Sequence, residues 1–448
     1  MLQCGLHPVL WLQARVQLSV TANNVANADT EGYTTKTAQV SSKTSSGIGS
    51  GVSVDGVTSQ VSQYLLADLM EATSQAAGAS TTAEYLNQLQ TEFGTLEDNT
   101  GEGTTLVSAI SDFEEAMTSL ATTPESSTLA YNAVTTLEDL TSQIRDTAET
   151  IDDLVEQADE EVQEAVESVN NLLENITELN DQIRAEAANG NSTADLEDQL
   201  NTALTELSEY LDITTFQSDD GSTKVYTSSG QILVGSTSHL LSTGSDADGQ
   251  TTIIVNGSDI TDRISGTDSK IGSLLELRDE TLPDYAEALD EFATTMIDTL
   301  NAVAGLSGDI LEGTSASNIA VVSTVSDDPT TLLGTGNTAT TANNILDALQ
   351  GDATFDAAGN LAANECTLTE YITDLISIAV SDANSASDAL DVTETALSTA
   401  SDAISSAYGV NVDEETERLA ELEQLYAVAS TLLSTIQEMF DDLLSAFS

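Results

Sequence analysis

Residues 137–183 read LEDLTSQIRDTAETIDDLVEQADEEVQEAVESVNNLLENITELNDQI, a stretch in which apolar side chains recur every three or four residues. Polar and acidic side chains fill the positions between them. This period places the apolar side chains on one stripe of an α-helix, and such a stripe is stable only when a partner covers it. The stripe consists of Leu137, Leu140, Ile144, Ala148, Ile151, Val155, Ala158, Val162, Ala165, Val169, Leu172, Ile176, Leu179 and Ile183. The stretch predicts a long coiled-coil helix at the centre of a mainly α-helical fold.

The flanking sequence extends the helical pattern in both directions. Gly190 predicts the end of the long helix, because glycine readily adopts the left-handed conformation found just past helix ends. Residues 193–211 carry a second helical pattern, which we expect to fold back on the first. Further helices are predicted over residues 59–93, 104–120, 270–304 and 367–408.

Between residues 213 and 255 the period changes from helical to β-type. Four short runs rich in Ile, Val and Thr are separated by turn sequences such as Asp219-Asp220-Gly221 and Asn256-Gly257. The runs are residues 213–216, 224–227, 231–234 and 251–255. They predict a small antiparallel β region. Residues 306–364 are rich in small and polar residues and weakly patterned, which predicts a small irregular outer subdomain or a long excursion.

The two ends of the chain carry apolar stripes. The C-terminal stripe steps by three and four residues without a break through Leu419, Leu422, Tyr426, Ala429, Leu433, Ile436, Phe440, Leu443 and Phe447. Asp413 is predicted as the N-cap of this helix. A weaker N-terminal stripe runs through Leu2, Leu6, Val9, Val16 and Val20, with Gln13 in the gap. These helices either close one domain as a hairpin or bury their stripes between copies of the protein, and the pattern leaves both alternatives open.

The charge is strongly negative, because 75 acidic and 10 basic side chains give a formal net charge of −65. This excludes nucleic acid as a partner, since binding phosphates requires clustered Lys and Arg, and it argues against an anionic membrane surface. The acidic residues are spread over the whole chain, which favours a generally acidic surface over a site for one cationic partner. No apolar run approaches the ~20 residues that a membrane-spanning helix requires, so no membrane insertion is predicted.

Residues able to support catalysis or to bind a metal are few. His7 and His239 are the two histidines of the chain, and each is interpreted as a surface or packing residue. Cys4 and Cys366 lack the spacing of zinc or redox pairs and are interpreted as isolated thiols, with one long-range bridge as the alternative. Acidic pairs are too abundant to be diagnostic. The sequence therefore predicts no catalytic residue, no metal site and no cofactor.

A more specific pattern lies near the start, where residues 21–33 read TANNVANADTEGY. Asn side chains can bond local backbone groups and Gly permits a tight turn, so these residue types are typical of a helix terminus. Their order resembles the signature of the flagellar axial proteins, the family of rod, hook and hook-associated proteins. The residues that carry this resemblance and that it assigns to assembly are Asn23, Asn24, Asn27, Gly32 and Tyr33.

Two other stretches support the same resemblance. Residues 409–415, GVNVDEE, are similar to the C-terminal element of that family, together with the residues that follow them: Leu422, Gln424, Tyr426, Ala429, Ile436, Met439, Leu443 and Leu444. Residues 270–285, KIGSLLELRDETLPDY, are similar to an interior helix of the hook-associated members at the hook–filament junction. The sequence departs from the family at Glu31, where Pro is common, at Thr35-Lys36, where Arg-Gln is more usual, and at Pro8.

The resemblance implies a structural protein, not an enzyme, that joins the flagellar hook to the filament. It implies self-assembly into a helical tube, contacts with hook protein and with the next hook-associated protein, a cytoplasmic chaperone, and passage through the flagellar export apparatus to an extracellular location. A hook or filament subunit is the alternative within the family, and an acidic, calcium-dependent surface-layer or adhesin protein is the alternative outside it.

The resemblance also implies a domain organisation. Residues 1–35 and 413–448 would pair as helices of the inner core. Residues 36–211, 269–305 and 365–412 would form a helical, coiled-coil domain, residues 212–268 the β region, and residues 306–364 the outer subdomain. Within the paired helices, Val16, Val20 and the C-terminal stripe are the residues expected to mediate assembly.

Overall fold

A computed structural model describes residues 6–30, 32–45, 48–59, 61–94, 105–247, 249–334 and 338–446. Long helices dominate it, which confirms the predicted mainly α fold class. The helices are α1 Leu6–Ala26, α2 Gln63–Phe93, α3 Leu106–Thr122, α4 Ser127–Asn189, α5 Ala194–Tyr210, α6 Thr261–Ile264, α7 Lys270–Glu276, α8 Leu282–Asn301, α9 Ser323–Asp327, α10 Ala339–Gln350, α11 Leu368–Tyr408 and α12 Val412–Ala446.

The strands are short and form small antiparallel sheets. They are β1 Thr37–Ser45, β2 Ile48–Thr58, β3 Ile213–Gln217, β4 Thr223–Thr227, β5 Ile232–Val234, β6 Leu241–Ser245, β7 Thr251–Val255, β8 Ser258–Asp259, β9 Leu311–Glu312, β10 Ala320–Val321, β11 Ala353–Phe355 and β12 Asn364–Cys366. The pairings are β1-β2, β3-β4-β5, β6-β7-β8, β10-β9 and β11-β12.

Helix α4 is the spine of the fold. Its 63 residues extend roughly 95 Å at 1.5 Å per residue. Ser126 caps its start, because its side chain accepts a hydrogen bond from the amide of Leu129, and Gly190 ends it in the left-handed conformation with a φ of 73°. The predicted stripe is buried except at Val155 and Leu172, which are half-buried. The predicted end and the predicted apolar face are therefore confirmed.

Several partners in succession, rather than one helix, cover the α4 stripe. Helix α3 and helix α8 pack on its first half, α7 on its middle, and α5 with the edges of the β sheets on its second half. A core that changes partner along one helix requires a wider apolar face than a two-stranded coiled coil has. Leu154, Val166 and Leu173, which lie beside the predicted stripe, are accordingly buried as well.

Carboxamide side chains on α4 anchor the β region. Asn180 donates from Nδ2 to the carbonyl oxygen of Thr223 over 2.8 Å and accepts at Oδ1 from the Thr223 amide over 2.7 Å. Asn170 makes the same pair of bonds with Leu241, at 2.9 and 2.7 Å. Each carboxamide therefore satisfies the unpaired donor and acceptor of one edge residue, as a neighbouring strand would.

Helices α7 and α8 form one continuous helix through a π-helical turn, Leu277–Thr281. Pro283 follows this turn and lacks an N–H group, so one helical hydrogen bond is missing here. Arg278, in the turn, is 1% exposed and lies against α4 and β7. This turn therefore connects the helical core to the β region.

The strands at 213–217, 223–227, 232–234 and 251–255 lie where β-type runs were predicted. The sequence interpretation missed β6 and β8, and it also missed the hairpin of β1 and β2. Residues 306–366 contain α9, α10 and two two-stranded pairings, β10-β9 and β11-β12, so the last strand extends two residues past the predicted end at 364. Helix α10 packs against α3 and α8. The prediction that Asp413 caps the last helix is wrong: Asn411 caps it, accepting at Oδ1 from the amides of Asp413 and Glu414.

Within the described ranges, none of the helices combines the length and apolar character needed to cross a bilayer. The same residues contain no group of three or more His, Cys, Asp and Glu side chains placed to hold a metal ion. Cys366 is buried and forms no disulfide, and Cys4 lies outside the described residues.

Gly272 in α7 provides a test of this packing. A Cβ atom at this position would lie 2.3 Å from the carbonyl oxygen of Thr267 and 2.9 Å from that of Ile264, and backbone atoms cannot rotate away. We expect Gly272→Ala to lower the free energy of unfolding by about 2–3 kcal/mol, measured by urea titration. Gly308→Ala is the matched control, because open space surrounds Gly308. Equal stability of the two variants would contradict this packing.

Candidate functional site

The helices at the two ends of the chain lie side by side, although about 400 residues of sequence separate them. The ring of Trp11 in α1 contacts the ring of Tyr426 in α12, with 5.9 Å between the ring centroids. Ala14 of α1 and Leu422 and Ala429 of α12 are buried in the same region. We call α1 and α12 together the terminal pair.

The predicted C-terminal stripe faces the interior of the terminal pair. Its described members are buried or half-buried: Leu419, Leu422, Tyr426, Ala429, Leu433 and Ile436. Phe440 and Leu443 belong to α12, but their side chains lie outside the described part of the structure, as does Phe447 entirely.

The predicted N-terminal residues have a different position. Val16 and Val20 are half-buried and line an open cavity of about 1070 Å³, together with Asn23, Asn27, Gly32 and Tyr33. The opposite wall of this cavity is formed by α4 and α5. The side of α1 that lies against α12 instead carries Trp11 and Ala14, which the sequence interpretation did not select.

A second apolar stripe on α12 is exposed. Its members are Leu425 at 53% exposure, Val428 at 54%, Leu432 at 41%, Met439 at 66% and Leu444 at 66%. The sequence interpretation overlooked it, although the first four of these residues have helical spacing of three, four and seven. Contiguous apolar surface of this kind is characteristic of protein–protein contacts.

Asn24 organises the turn that follows α1. This residue is 1% exposed. Its Nδ2 donates to the carbonyl oxygen of Lys36 over 3.0 Å, and its Oδ1 accepts from the Lys36 amide over 3.0 Å and from the Tyr33 hydroxyl over 2.9 Å. Asn27 donates from Nδ2 to the carbonyl oxygen of Asn23 over 2.9 Å. The structure therefore brings Asn24 and Tyr33 together, while the side chain of Asn23 is exposed.

The backbone conformation and the close packing at Gly32 both favour glycine. Its φ is 73°, in the left-handed region, and a Cβ atom there would lie 2.3 Å from Oγ1 of Thr202 in α5. The chain can therefore turn sharply and approach α5 closely at the same residue. From this turn the segment Tyr33–Lys36, which is neither helix nor strand, leads into β1.

Lys36 forms a buried ion pair with Asp198 of α5. Its Nζ also donates to the carbonyl oxygen of Ala194 over 2.9 Å and lies 4.9 Å from the centre of the Tyr33 ring. Burial, followed by the charges of Asp195, Asp198 and Glu415, raises the pKa of Tyr33 to about 12, so its hydroxyl remains a hydrogen-bond donor at neutral pH. Sequence reasoning noted Lys36 only as a departure from the family pattern, and nothing local pointed to Asp198.

His239, another of the candidate residues, lies at the surface of the β region, where its Nδ1 is hydrogen-bonded to Oδ1 of Asn256 over 2.8 Å.

The site thus combines the apolar faces of the terminal pair with the polar contacts of Asn24, Tyr33 and Lys36 at the end of α1. The geometry of the terminal pair is suited to binding other helices, because its exposed stripe presents side chains at the spacing of a helix–helix contact.

The family models and the curated relatives that match this chain are all flagellar proteins. Residues 86–319, more than half of the chain, match a family model described as "Flagellar hook-associated protein FlgK helical domain", and residues 12–34 match "Flagella basal body rod protein". Flagellar hook-associated protein 1 of Salmonella typhimurium is 27% identical over 304 residues, and that of Escherichia coli is 25% identical over 303 residues. Each alignment covers 64% of this chain and 54% of the relative.

This chain therefore spans about half the length of the curated relatives it matches. Among solved structures, the flagellar hook junction protein FlgK from Burkholderia pseudomallei aligns at a TM-score of 0.47 and 23% identity. That alignment covers 55% of this chain and 46% of the other.

Proposed function

The chain belongs to the family of the flagellar hook-associated protein FlgK helical domain, and on this premise we propose that it is a structural subunit of the flagellum that joins the hook to the filament. The observation that carries the proposal is the family match over residues 86–319, combined with a rod-protein match that includes the Asn24–Tyr33 turn. Its relatives are structural flagellar proteins, and we propose that this chain likewise acts by assembly rather than by catalysis.

The exposed stripe on α12 supports assembly through the terminal pair. One face of α12 is already covered by α1, so Leu425, Val428 and Leu432 are free to pack against a neighbouring subunit. We propose that this contact joins two different surfaces of the same protein, because a contact of that kind propagates into a helical tube when its rotation does not close. Val16 and Val20 lie on the other side of α1 and offer a second apolar contact beside the cavity.

The proposed partners follow from this position in the flagellum. They are other copies of this chain in a helical tube, hook protein on one side and the next hook-associated protein on the other. We further propose export by the flagellar type III pathway, a cytoplasmic chaperone that holds α12 before export, and an extracellular location at the hook–filament junction. The division into an inner core of residues 1–35 and 413–448, a helical domain, a β region and residues 306–364 as an outer part is proposed on the same basis.

Deletion of the gene tests the function directly. We expect cells to form hooks without filaments and to release unassembled filament protein into the medium, because a junction subunit is needed only after the hook is complete. Electron microscopy of detached flagella and immunoblotting of the medium measure both effects. Cells without hooks would indicate a rod or hook subunit, and cells with normal filaments would refute the proposal.

A further inference from the structure

Helix α1 of the terminal pair packs against the hairpin of β1 and β2, and a narrow polar connection joins the pair to α5. Between α1 and the wall formed by α4 and α5 lies the cavity of about 1070 Å³, so these helices do not pack closely there. Next to this space, the segment Tyr33–Lys36 connects the end of α1 to α5 and to the turn between α11 and α12.

This segment makes contacts in two directions, with Thr34 and Lys36 bonded to Asp198 and Thr35 bonded to the turn before α12. On one side, Thr34 donates to Asp198 from its amide over 2.9 Å and from its hydroxyl over 2.6 Å, and Lys36 adds the ion pair to the same carboxylate. Asp198 is 6% exposed, so these groups take the place of most of the water that would otherwise solvate its carboxylate.

On the other side, Thr35 holds the connection between α11 and α12. Its amide donates to the carbonyl oxygen of Tyr408 over 2.7 Å, and its hydroxyl donates to that of Gly409 over 2.8 Å. Helix α12 begins at Val412, three residues after Gly409. The direction in which α12 extends from the end of α11 is therefore linked, through this short segment, to the side chain of Asp198 in α5. We call the part of the fold built on α4, with α2, α3, α5, α7, α8 and α11, the helical body.

We propose that Tyr33–Lys36 is a clip that sets the direction of the terminal pair relative to α5, with Lys36 as its positioning residue. A buried ion pair suits this task, because displacing one partner leaves the other charge buried and unpaired, which costs free energy. An apolar contact, in contrast, can slide with little loss. When the clip is open, the terminal pair can swing into the adjacent cavity. This inference concerns the single chain and does not depend on the proposed function.

The test measures the direction of the terminal pair in the full-length chain. Spin labels at Glu174→Cys on α4 and Ser430→Cys on α12, both exposed, report the distance across the clip in a Cys4→Ser, Cys366→Ser background. As an internal control, labels at Glu174→Cys and Ser398→Cys report the distance between α4 and α11, both of which belong to the helical body. Lys36→Met is expected to broaden the first distribution and leave the second unchanged. It is also expected to speed amide exchange of residues 405–411 by about tenfold.

Three further variants complete the test. Lys36→Arg keeps the charge and is expected to behave as the wild type, and so is Lys224→Met, which removes an exposed lysine from β4. Thr35→Val removes only the hydroxyl bond to Gly409 and is expected to broaden the same distribution without leaving a buried charge, so it remains informative if Lys36→Met fails to fold. An unchanged Glu174–Ser430 distribution in Thr35→Val or in a folded Lys36→Met protein overturns the proposal. Equal broadening of both distances does so as well.

Discussion

Ending the chain after Asp413 is expected to abolish filament growth while leaving the helical body folded. The truncation removes α12 except for its first two residues, and within the described residues α12 packs chiefly against α1. The core built on α4 therefore keeps its partners α3, α5, α7 and α8. The terminal pair, in contrast, loses both its internal contact and the exposed stripe.

Complementation of the deletion strain measures the first effect, and thermal unfolding followed by circular dichroism measures the second. Leu432→Asp and Ser430→Asp form a matched pair on α12, because both positions are exposed and only Leu432 belongs to the stripe. We expect loss of filaments with Leu432→Asp, since an apolar contact repeated in every subunit would have to bury a charge. Normal filaments in the truncated or the Leu432→Asp strain would show that α12 does not mediate assembly.

Arg278→Met is expected to destabilise the fold strongly, because one buried cation holds groups from three separate parts of the chain. The guanidinium donates to Asp159 over 2.6 Å, to the carbonyl oxygen of Thr251 over 2.8 Å, and through two nitrogens to Asp279 over 2.6 and 2.9 Å. Removing the cation leaves two carboxylates without their counter-charge and the Thr251 carbonyl group without the guanidinium donor, although Asp159 keeps its hydrogen bonds from Thr251. Because both carboxylates retain some contact with water, we expect a loss of about 3 kcal/mol, at the lower end for a broken buried pair.

Urea titration of the wild type, Arg278→Met and Arg263→Met measures this loss. Arg263 is an exposed arginine in α6, so its replacement controls for the change of net charge and is expected to alter stability by less than about 0.5 kcal/mol. A loss of the same size in both variants would contradict a specific role for the buried guanidinium.

Asp159 makes the effect of Arg278→Met depend on pH. Burial raises the pKa of Asp159, but hydrogen bonds from Thr251 and Arg278 and the Arg278 charge outweigh burial and hold the pKa below its usual value of 3.8. A pKa that is lower in the folded state than in the unfolded state adds stability above the unfolded value, and this stability is lost as the pH falls through the folded value. The difference in the free energy of unfolding between wild type and Arg278→Met should therefore stay constant from about pH 7 to about pH 5 and shrink as the pH falls below about 4. A difference independent of pH would contradict the ion pair as its source.

Local patterns in the sequence were sufficient for the long helices, whereas α6, α9 and α10 were not predicted. The α4 stripe, its end at Gly190 and the helix that follows were predicted within a residue or two, because period and capping depend on neighbouring residues. The hairpin of β1 and β2 was missed for the same reason: its Ser-, Thr- and Gly-rich strands lack the alternation that identifies a half-buried strand. Residues 37–42 and 52–58 of these strands are exposed or half-buried.

The candidate site was predicted less completely. The order of Asn24, Gly32 and Tyr33 pointed to the right turn, and the C-terminal stripe pointed to the face that α1 covers. The exposed stripe through Leu425 and Leu432 was overlooked because a helix with two apolar faces shows one dominant period. Which face a partner covers depends on elements far away in the chain.

The sequence was thus enough to establish the helical class, the long α4 spine, the apolar ends and the family resemblance, since these rest on spacing and on ordered motifs. The tertiary structure was needed to pair Lys36 with Asp198, Arg278 with Asp159 and Trp11 with Tyr426. In a chain with 75 acidic side chains, no local rule selects the carboxylate that a given cation will meet. Only the packing of helices separated by more than a hundred residues brings the two charges together, and burial then makes their pairing obligatory.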